Sequence, residues 1–112
     1  MRAIVKDHAD PGLTSTDVPE PEIGDDGVLV RVRAAGICGT DVHIYEWDDW
    51  SRGRTRPPLV VGHEFVGEVV ACGRSVRHVR VGQRVSAEGH ITCGQCVFCL
   101  TGQGHICRDV QI

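Results

Sequence analysis

Short apolar runs, one of them with a period of two, dominate the first three quarters of the chain. The first run covers residues 3–5, and in 28–33 β-branched residues alternate with arginines, which predicts a strand with one buried face. Further runs at 59–61, 65–70 and 84–86 predict more strands. Residues 40–45 predict a short helix with Thr40 as its N-cap. The pattern indicates a mainly β chain with five or six short strands and one helix.

Two segments lack this periodicity. Residues 46–58 hold both tryptophans among acids, arginines and prolines, which predicts a long irregular loop of the kind that often carries function. Residues 88–112, the cysteine lobe, are rich in glycine and cysteine and poor in apolar residues. This lobe cannot form its own hydrophobic core, so something other than apolar packing must order it.

Composition narrows the class of protein. The 112 residues fit one small domain, and 12 basic against 15 acidic side chains lack the basic excess of a nucleic-acid-binding surface. No apolar run approaches the roughly 20 residues of a membrane helix, and the start lacks the apolar region of a secretory signal. We therefore expect a globular, cytoplasmic protein. Its six cysteines are then expected to be reduced or metal-bound.

Four of those cysteines follow a metal-ligand spacing. Cys93, Cys96, Cys99 and Cys107 form the pattern Cys-x2-Cys-x2-Cys-x7-Cys. Zn²⁺ takes four thiolates in a closed tetrahedral site, and metal binding then supplies the folding free energy that this segment lacks. An iron–sulfur cluster, disulfides or four unrelated thiols are the alternatives, although the last gap and Arg108 after the final cysteine do not fit a ferredoxin run. Structural zinc is the preferred interpretation.

A second constellation is more dispersed. Cys38 and His63 both have glycine neighbours, which indicates closely approached backbone, and Glu64 adds a carboxylate. A cysteine, a histidine and a carboxylate make a partial zinc set of the open, catalytic kind. Taken singly, the cysteine could equally be a small core residue and the histidine a satisfied polar group.

Three motifs together resemble zinc-dependent medium-chain alcohol dehydrogenases. They are Gly62-His63-Glu64-x2-Gly67-x5-Gly73-x2-Val76, the segment Gly36-Ile37-Cys38-Gly39-Thr40-Asp41, and the cysteine lobe. The resemblance implies a GroES-like, mainly β partial barrel with a protruding zinc lobe. Residues 40–50 and 88–94 are similar to the branch of the family that oxidises L-threonine. Gln83 departs from the family's usual Asp, at a turn.

The resemblance also implies roles for individual residues. Cys38 and His63 would hold a catalytic zinc ion, with Glu64 as a direct or exchangeable ligand or as a nearby carboxylate that never touches the metal. Thr40 and His43 would relay the proton of the substrate hydroxyl, unless they only cap the helix and face solvent. Candidate pocket residues for L-threonine are Trp47, Trp50 and His90. The alternative is that both tryptophans pack at a subunit or domain contact.

The cofactor implied by the resemblance is NAD, but the chain contains no Gly-x-Gly-x-x-Gly. Gly102-Gln103-Gly104 lies between cysteines rather than between a strand and a helix. We therefore expect the NAD-binding Rossmann domain to be absent from this chain, with Ile112 a truncation point inside the GroES-like catalytic domain.

The chain alone should then be inactive, and the bacterial relatives implied by the resemblance are tetramers. A butanediol- or sorbitol-type dehydrogenase and a stand-alone zinc module are the alternatives. Cys72 reads as a core thiol, and three histidines read as solvated or structural: His8, His78 and His105.

Overall fold

The computed structural model describes residues 1–111, so Ile112 and the truncation point predicted there lie outside the described residues. Short strands and short helices follow one another along the chain. Their bounds are β1 Arg2–Lys6, β2 Thr14–Asp17, β3 Val28–Ala35, α1 Gly39–Glu46, α2 Asp49–Arg54, β4 Leu59–Val60, β5 Phe65–Cys72, β6 Arg84–Ser86 and α3 Val97–Leu100, with a 3-10 helix at Gly104–Ile106. Six strands within residues 1–111 confirm the predicted mainly β class.

The first sheet has the order β2-β1-β4, and both pairings are antiparallel. Ile4 of β1 lies opposite Ser15, and Val5 lies opposite Val60. The sequence of β2 is Thr-Ser-Thr-Asp, which carries no apolar signal, so its strand conformation was not predicted. Backbone pairing with β1 forms this strand, because an edge strand needs hydrogen-bond partners more than it needs apolar side chains.

The second sheet has the order β3-β5-β6 and is also antiparallel. Gly67 of β5 lies opposite Val32, and a Cβ atom at Gly67 would lie 2.6 Å from the backbone oxygen of Arg31. The prediction of one buried face on β3 is wrong. Residues 28–30 are half-buried together and Val32 is 54% exposed, because β3 is an edge strand that bulges twice against β5.

Helix α1 begins one residue earlier than predicted. Its N-cap is Cys38 in an extended conformation, so the prediction that Thr40 caps the helix is wrong, and Thr40 lies inside the first turn. The cap forms because the Asp41 carboxylate accepts a hydrogen bond from the Cys38 backbone N–H at 2.8 Å. As a result, Cys38 lies at the start of helix α1, at the positive end of the helix dipole.

The predicted irregular loop at 46–58 instead contains helix α2. Trp47 adopts a left-handed conformation with φ 55° and ends α1, and Asp48 then caps α2 by accepting from the Ser51 backbone N–H at 2.9 Å. The helix was missed because Ser51 is its buried residue, which leaves no apolar periodicity. Its start is set by the aspartate cap.

The core is small and includes a buried cation. Lys6 is 1% exposed, and its ammonium group donates to the carbonyl oxygens of Asp10 and Gly12 while lying 4.9 Å from the ring centre of the buried Trp47. These contacts join β1 to the end of α1, since a buried ammonium must keep hydrogen-bond and cation–π partners. Across the described residues, no helix has the length and apolar character needed to cross a membrane.

Candidate metal centres

The four sulfurs of the cysteine lobe lie at the corners of a compact cluster. The Sγ–Sγ distances include 3.5 Å for Cys96–Cys99 and for Cys93–Cys107, and 3.9 Å for Cys93–Cys99 and for Cys96–Cys107. A tetrahedron with Zn–S bonds of about 2.3 Å has edges of about 3.8 Å. The same distances are far longer than a disulfide bond, which is about 2.05 Å. The four sulfurs are therefore spaced as they would be around a single thiolate-bound ion.

Backbone groups around the sulfurs favour thiolates. The N–H of Arg108, followed by that of Cys99, lowers the pKa of Cys96 to about 6. The N–H groups of Cys93 and Asp109, each 3.4 Å from the Cys107 sulfur, lower the pKa of that thiol. Desolvation instead raises the pKa of Cys99 to about 11. A site in which two thiols have a lowered pKa and a third has a raised pKa suits a cation that displaces the remaining protons.

The rest of the lobe is built around this cluster. Gly94 and Gly102 take φ values of 71° and 77°, which let the backbone turn between the ligands. Ile91 and Gln111 pair in an antiparallel bridge that closes the base of the lobe. Within the described residues 88–111, Cys107 is the one buried residue, so the lobe has no apolar core of its own. This observation fits a metal-ordered segment.

The second cluster joins residues that precede α1 and β5. Ligand atoms of Cys38, His63 and Glu64 all lie within 4.8 Å of one another, and we call these residues the Cys–His–Glu cluster. The Gly36 N–H donates to the Glu64 carbonyl oxygen at 2.7 Å, which brings the two segments together. A Cβ at Gly36 would lie 2.9 Å from Glu64 Oε2, so a larger residue there would displace this carboxylate.

Asp41 is a site residue to which the sequence analysis gave no role. Its side chain is buried, with Oδ2 on the Cys38 N–H and Oδ1 3.6 Å from His63 Nδ1. Oδ1 has no hydrogen-bond partner among the described residues. A carboxylate behind a ligating histidine orients the ring and increases its basicity. The thiol, imidazole and carboxylate donors, with this carboxylate behind them, therefore fit a zinc ion.

A cavity of about 680 Å³ opens beside the Cys–His–Glu cluster. Thr40, His63, Glu64, Glu88 and His90 contribute its polar side chains together with Ser86, and no lysine or arginine among the described residues lines it. The Thr40 hydroxyl lies 3.7 Å from the Cys38 sulfur. Glu88 accepts from His90 Nδ1 at 2.5 Å, and this contact lowers the pKa of Glu88. The cavity is therefore large enough for a small substrate and is acidic.

The predicted pocket residues separate into two groups. His90 lines the cavity, whereas Trp47 and Trp50 are not among its lining residues. Trp47 is buried below Lys6, and Trp50 lies beside His43 with the ring centres 5.4 Å apart. His43, predicted as a relay residue, also lies outside this lining.

The remaining cysteine and three histidines belong to neither cluster. Cys72 is a half-buried thiol on β5 whose sulfur lies 3.9 Å from the Val79 carbonyl oxygen. His8, His78 and His105 are exposed.

Known proteins are similar to this chain in sequence and in fold. The profile described as "Alcohol dehydrogenase GroES-like domain" matches residues 24–112. An L-threonine 3-dehydrogenase of Streptomyces coelicolor (strain ATCC BAA-471 / A3(2) / M145) is 57% identical over 108 residues, which cover 96% of this chain and 32% of that relative. The chain thus spans about a third of the length of the curated relatives it matches.

Solved structures agree with this assignment. Alcohol dehydrogenase TADH from Thermus sp. ATN1 superposes with a TM-score of 0.83 at 34% identity, covering 100% of this chain and 31% of that one. An NAD-dependent alcohol dehydrogenase gives a TM-score of 0.86 at 31% identity, covering 100% and 33%. The GroES-like, mainly β fold predicted from the motifs is confirmed, and the chain belongs to the alcohol dehydrogenase GroES-like domain family of medium-chain dehydrogenases.

Proposed function

We propose that this chain is the N-terminal catalytic portion of a zinc-dependent L-threonine 3-dehydrogenase. The reaction would oxidise the 3-hydroxyl of L-threonine to give 2-amino-3-oxobutanoate, with NAD⁺ as the hydride acceptor. The observation that carries the proposal is the Cys–His–Glu cluster at the wall of an acidic cavity. The name of the Streptomyces coelicolor relative supports threonine as the substrate.

In this proposal the chain holds two zinc ions with different roles. The four cysteines of the lobe would hold a structural ion and leave no ligand position for a substrate, because four protein ligands complete a tetrahedral site. Cys38 and His63 hold the catalytic ion, and Glu64 lies close enough to ligate it or to exchange with substrate. The chemistry that bound zinc supplies there is Lewis acidity, which lowers the pKa of the substrate hydroxyl.

Protons leave the site through side chains of α1. Thr40 lines the cavity beside Cys38, so its Oγ1 can accept the proton of a substrate hydroxyl and pass on its own. His43 lies one helical turn further along α1 and is the next acceptor, and its side chain is 51% exposed. A half-exposed imidazole is in contact with water, to which it can pass the proton on.

The acidic cavity suits the charge of the substrate. Threonine carries an ammonium group beside its hydroxyl carbon, and the carboxylates of Glu64 and Glu88 line the cavity without a competing lysine or arginine from the described part of the chain. His90 belongs to the same wall and is the predicted pocket residue that this arrangement favours. The tryptophans contribute instead to packing around α1 and α2.

The nicotinamide domain lies outside residues 1–112 in this proposal. Residues 1–112 are a GroES-like catalytic portion, with the cysteine lobe at about 88–112. Sequencing the gene past codon 112 tests this directly. A strand–Gly-x-Gly-x-x-Gly–helix unit is expected there, with an acidic residue about 20 positions further on. A stop codon at 113 would contradict it. We further infer a homotetramer, which light scattering on the gene product would measure.

Substrate choice is the test of the proposed activity. The gene product carrying this sequence is assayed for NADH formation with L-threonine, 2,3-butanediol and sorbitol. We expect a kcat/KM for L-threonine at least tenfold above both alternatives, because they lack the ammonium group. Equal efficiency with butanediol would overturn the threonine assignment. His63→Ala should abolish activity, whereas Cys72→Ser, a thiol outside both clusters, should retain it.

A further inference from the structure

The carboxylate of Asp48 makes contacts in two directions. Its Oδ1 accepts a hydrogen bond from the Ser51 backbone N–H at 2.9 Å and thereby caps α2. Its Oδ2 lies 2.5 Å from Nδ1 of His43 on α1. The same side chain thus starts one helix and fixes the imidazole of the other. Capping of α2 does not require a contact with His43, and the proposed proton relay does not require that the partner of His43 also cap a helix.

The contact determines where the imidazole carries its proton. An ionised carboxylate can only accept hydrogen bonds, so Nδ1 of His43 must be the donor. The N–H of Ser51 and the contact with His43 lower the pKa of Asp48, which keeps this carboxylate ionised at neutral pH. A neutral imidazole with its hydrogen on Nδ1 has its free lone pair on Nε2. The proton-accepting atom of His43 is therefore Nε2.

The surroundings of His43 hold the ring in one orientation. Trp50 of α2 lies against it, with the ring centres 5.4 Å apart and the planes inclined by 40°. Arg54 lies 5.0 Å from the ring centre of Trp50. The charged groups near His43 from α2 and its cap are thus the Asp48 carboxylate, in direct contact, and the Arg54 guanidinium beyond the indole.

We propose that Asp48 is a positioning residue for His43. By accepting from Nδ1, it keeps the imidazole in the tautomer and orientation in which Nε2 receives the proton arriving from Thr40. Asp48 takes up no proton itself. The effect of Asp48 on turnover rests on the proposed function. The contact between Asp48 and His43, and the tautomer that it selects, do not depend on that function.

Two substitutions separate capping from positioning. Asn and Ser are both good N-cap residues, so Asp48→Asn and Asp48→Ser preserve α2. With its oxygen on the Ser51 N–H, the carboxamide introduced by Asp48→Asn would direct its NH₂ group at Nδ1, which favours the tautomer with hydrogen on Nε2. The serine variant only removes the carboxylate. Asp49→Asn is the matched control, because it removes the same charge from a neighbouring position. The Asp49 side chain is fully exposed and contacts Arg52.

The first readout needs neither metal nor turnover. In gene product labelled with ¹⁵N-histidine, nitrogen chemical shifts report the His43 tautomer, and His43→Ala assigns the signal. We expect the Nδ1–H form in the wild type and in Asp49→Asn, a mixture in Asp48→Ser, and mainly the Nε2–H form in Asp48→Asn. An Nε2–H wild type, or an unchanged tautomer in both Asp48 variants, overturns the proposal. The wild-type reading decides the matter even if both variants unfold.

The second readout is kinetic. With L-threonine and NAD⁺ between pH 6 and 9, we expect kcat to fall by about 10- to 100-fold in Asp48→Asn and by less in Asp48→Ser, at unchanged KM. The pH profile should shift in both and stay unchanged in Asp49→Asn. A changed tautomer with unaltered kcat, in these variants and in His43→Ala, would support the positioning contact and overturn the proposed relay.

Discussion

The two metal clusters are assembled in opposite ways. In the cysteine lobe, all four ligands belong to one short segment, and Cys107 is its one buried residue within 88–111. The Cys–His–Glu cluster instead takes Cys38 from the start of α1 and His63 and Glu64 from the start of β5, which a paired sheet holds together. The lobe therefore has little besides its four cysteines to order it, whereas the sheet holds the two segments of the second cluster together.

The difference explains the shape of each site. A closed set of four thiolates has no position left for a substrate, and it lies where the chain has little other stabilisation. Three mixed ligands beside a cavity leave room for one. Three predictions test this contrast, and a fourth concerns the cap of α2.

Removing one lobe ligand should have the largest effect. In Cys107→Ser, the lobe should lose its ion and become unfolded from about 91 to 111, since a structural zinc site contributes about 10–16 kcal/mol in small zinc domains. Hydrogen exchange should show lost protection at the Ile91 and Gln111 amides, which pair with each other, and unchanged protection in β1 and β5. Cys72→Ser is the control. Retained protection of the bridge would show that the lobe is ordered without metal.

A change in the sheet should affect the other cluster. Gly67→Ala places a methyl group 2.6 Å from the Arg31 carbonyl oxygen and 2.4 Å from a Val30 methyl. We expect the free energy of unfolding to fall by about 1–3 kcal/mol, with zinc lost from the Cys–His–Glu cluster before the lobe. Urea denaturation and metal analysis measure both effects.

The matched control for that change is Gly53→Ala in α2. A Cβ at Gly53 meets nothing within 4 Å, and alanine favours a helix over glycine. This variant should be neutral or slightly stabilising. If both variants behaved alike, the close pairing of β3 with β5 would not be what holds the second cluster together.

The buried carboxylate behind His63 should tune metal affinity. Asp41→Asn keeps an oxygen for the Cys38 N–H but removes the charge near His63. We expect zinc affinity at this cluster to fall about tenfold, the lower end of the range for such partners, because part of the hydrogen bonding survives. Competition with a chelator measures this, and lobe affinity should not change. An unaltered affinity at both clusters would contradict the assignment of Asp41.

The smallest effect should appear in acid. The Ser51 N–H and His43 lower the pKa of Asp48, so the ionised cap stabilises the fold above about pH 4 and this contribution disappears as pH falls further. The urea midpoint of the wild type should therefore decrease between pH 5 and 3 more steeply than that of Asp48→Asn, whose cap does not titrate. Parallel slopes would show that the cap contributes nothing measurable.

Much of this architecture was predictable from local patterns. Apolar runs located β1, β3, β4, β5 and β6. Ligand spacing located the four cysteines, and glycine neighbours together with the family resemblance located the Cys–His–Glu cluster. Strand β2 was not predicted, because its polar sequence becomes a strand only through pairing with β1. Local signals cannot show which distant backbone will offer hydrogen bonds.

The supporting carboxylates show a second reason for the gaps. Asp41 and Asp48 are visible in the sequence, but their partners depend on three-dimensional placement. Asp41 reaches His63 across the sheet–helix junction, and Asp48 reaches His43 because Trp47 turns the chain with a positive φ. A left-handed tryptophan has no reliable sequence signal, since this conformation normally favours glycine or asparagine.

The bridge between Ile91 and Gln111 has a consequence for how such a domain evolves. The bridge brings Ile91 and Gln111, at the two ends of the cysteine lobe, side by side. The number of residues between them therefore does not affect the position of the backbone at the bridge. Insertions there should be tolerated, as they are wherever the two ends of a surface segment are adjacent. A short hairpin turn could replace residues 92–110 and leave the backbone at the bridge unchanged. The segment can thus change in length without altering Glu88 or His90, which line the cavity.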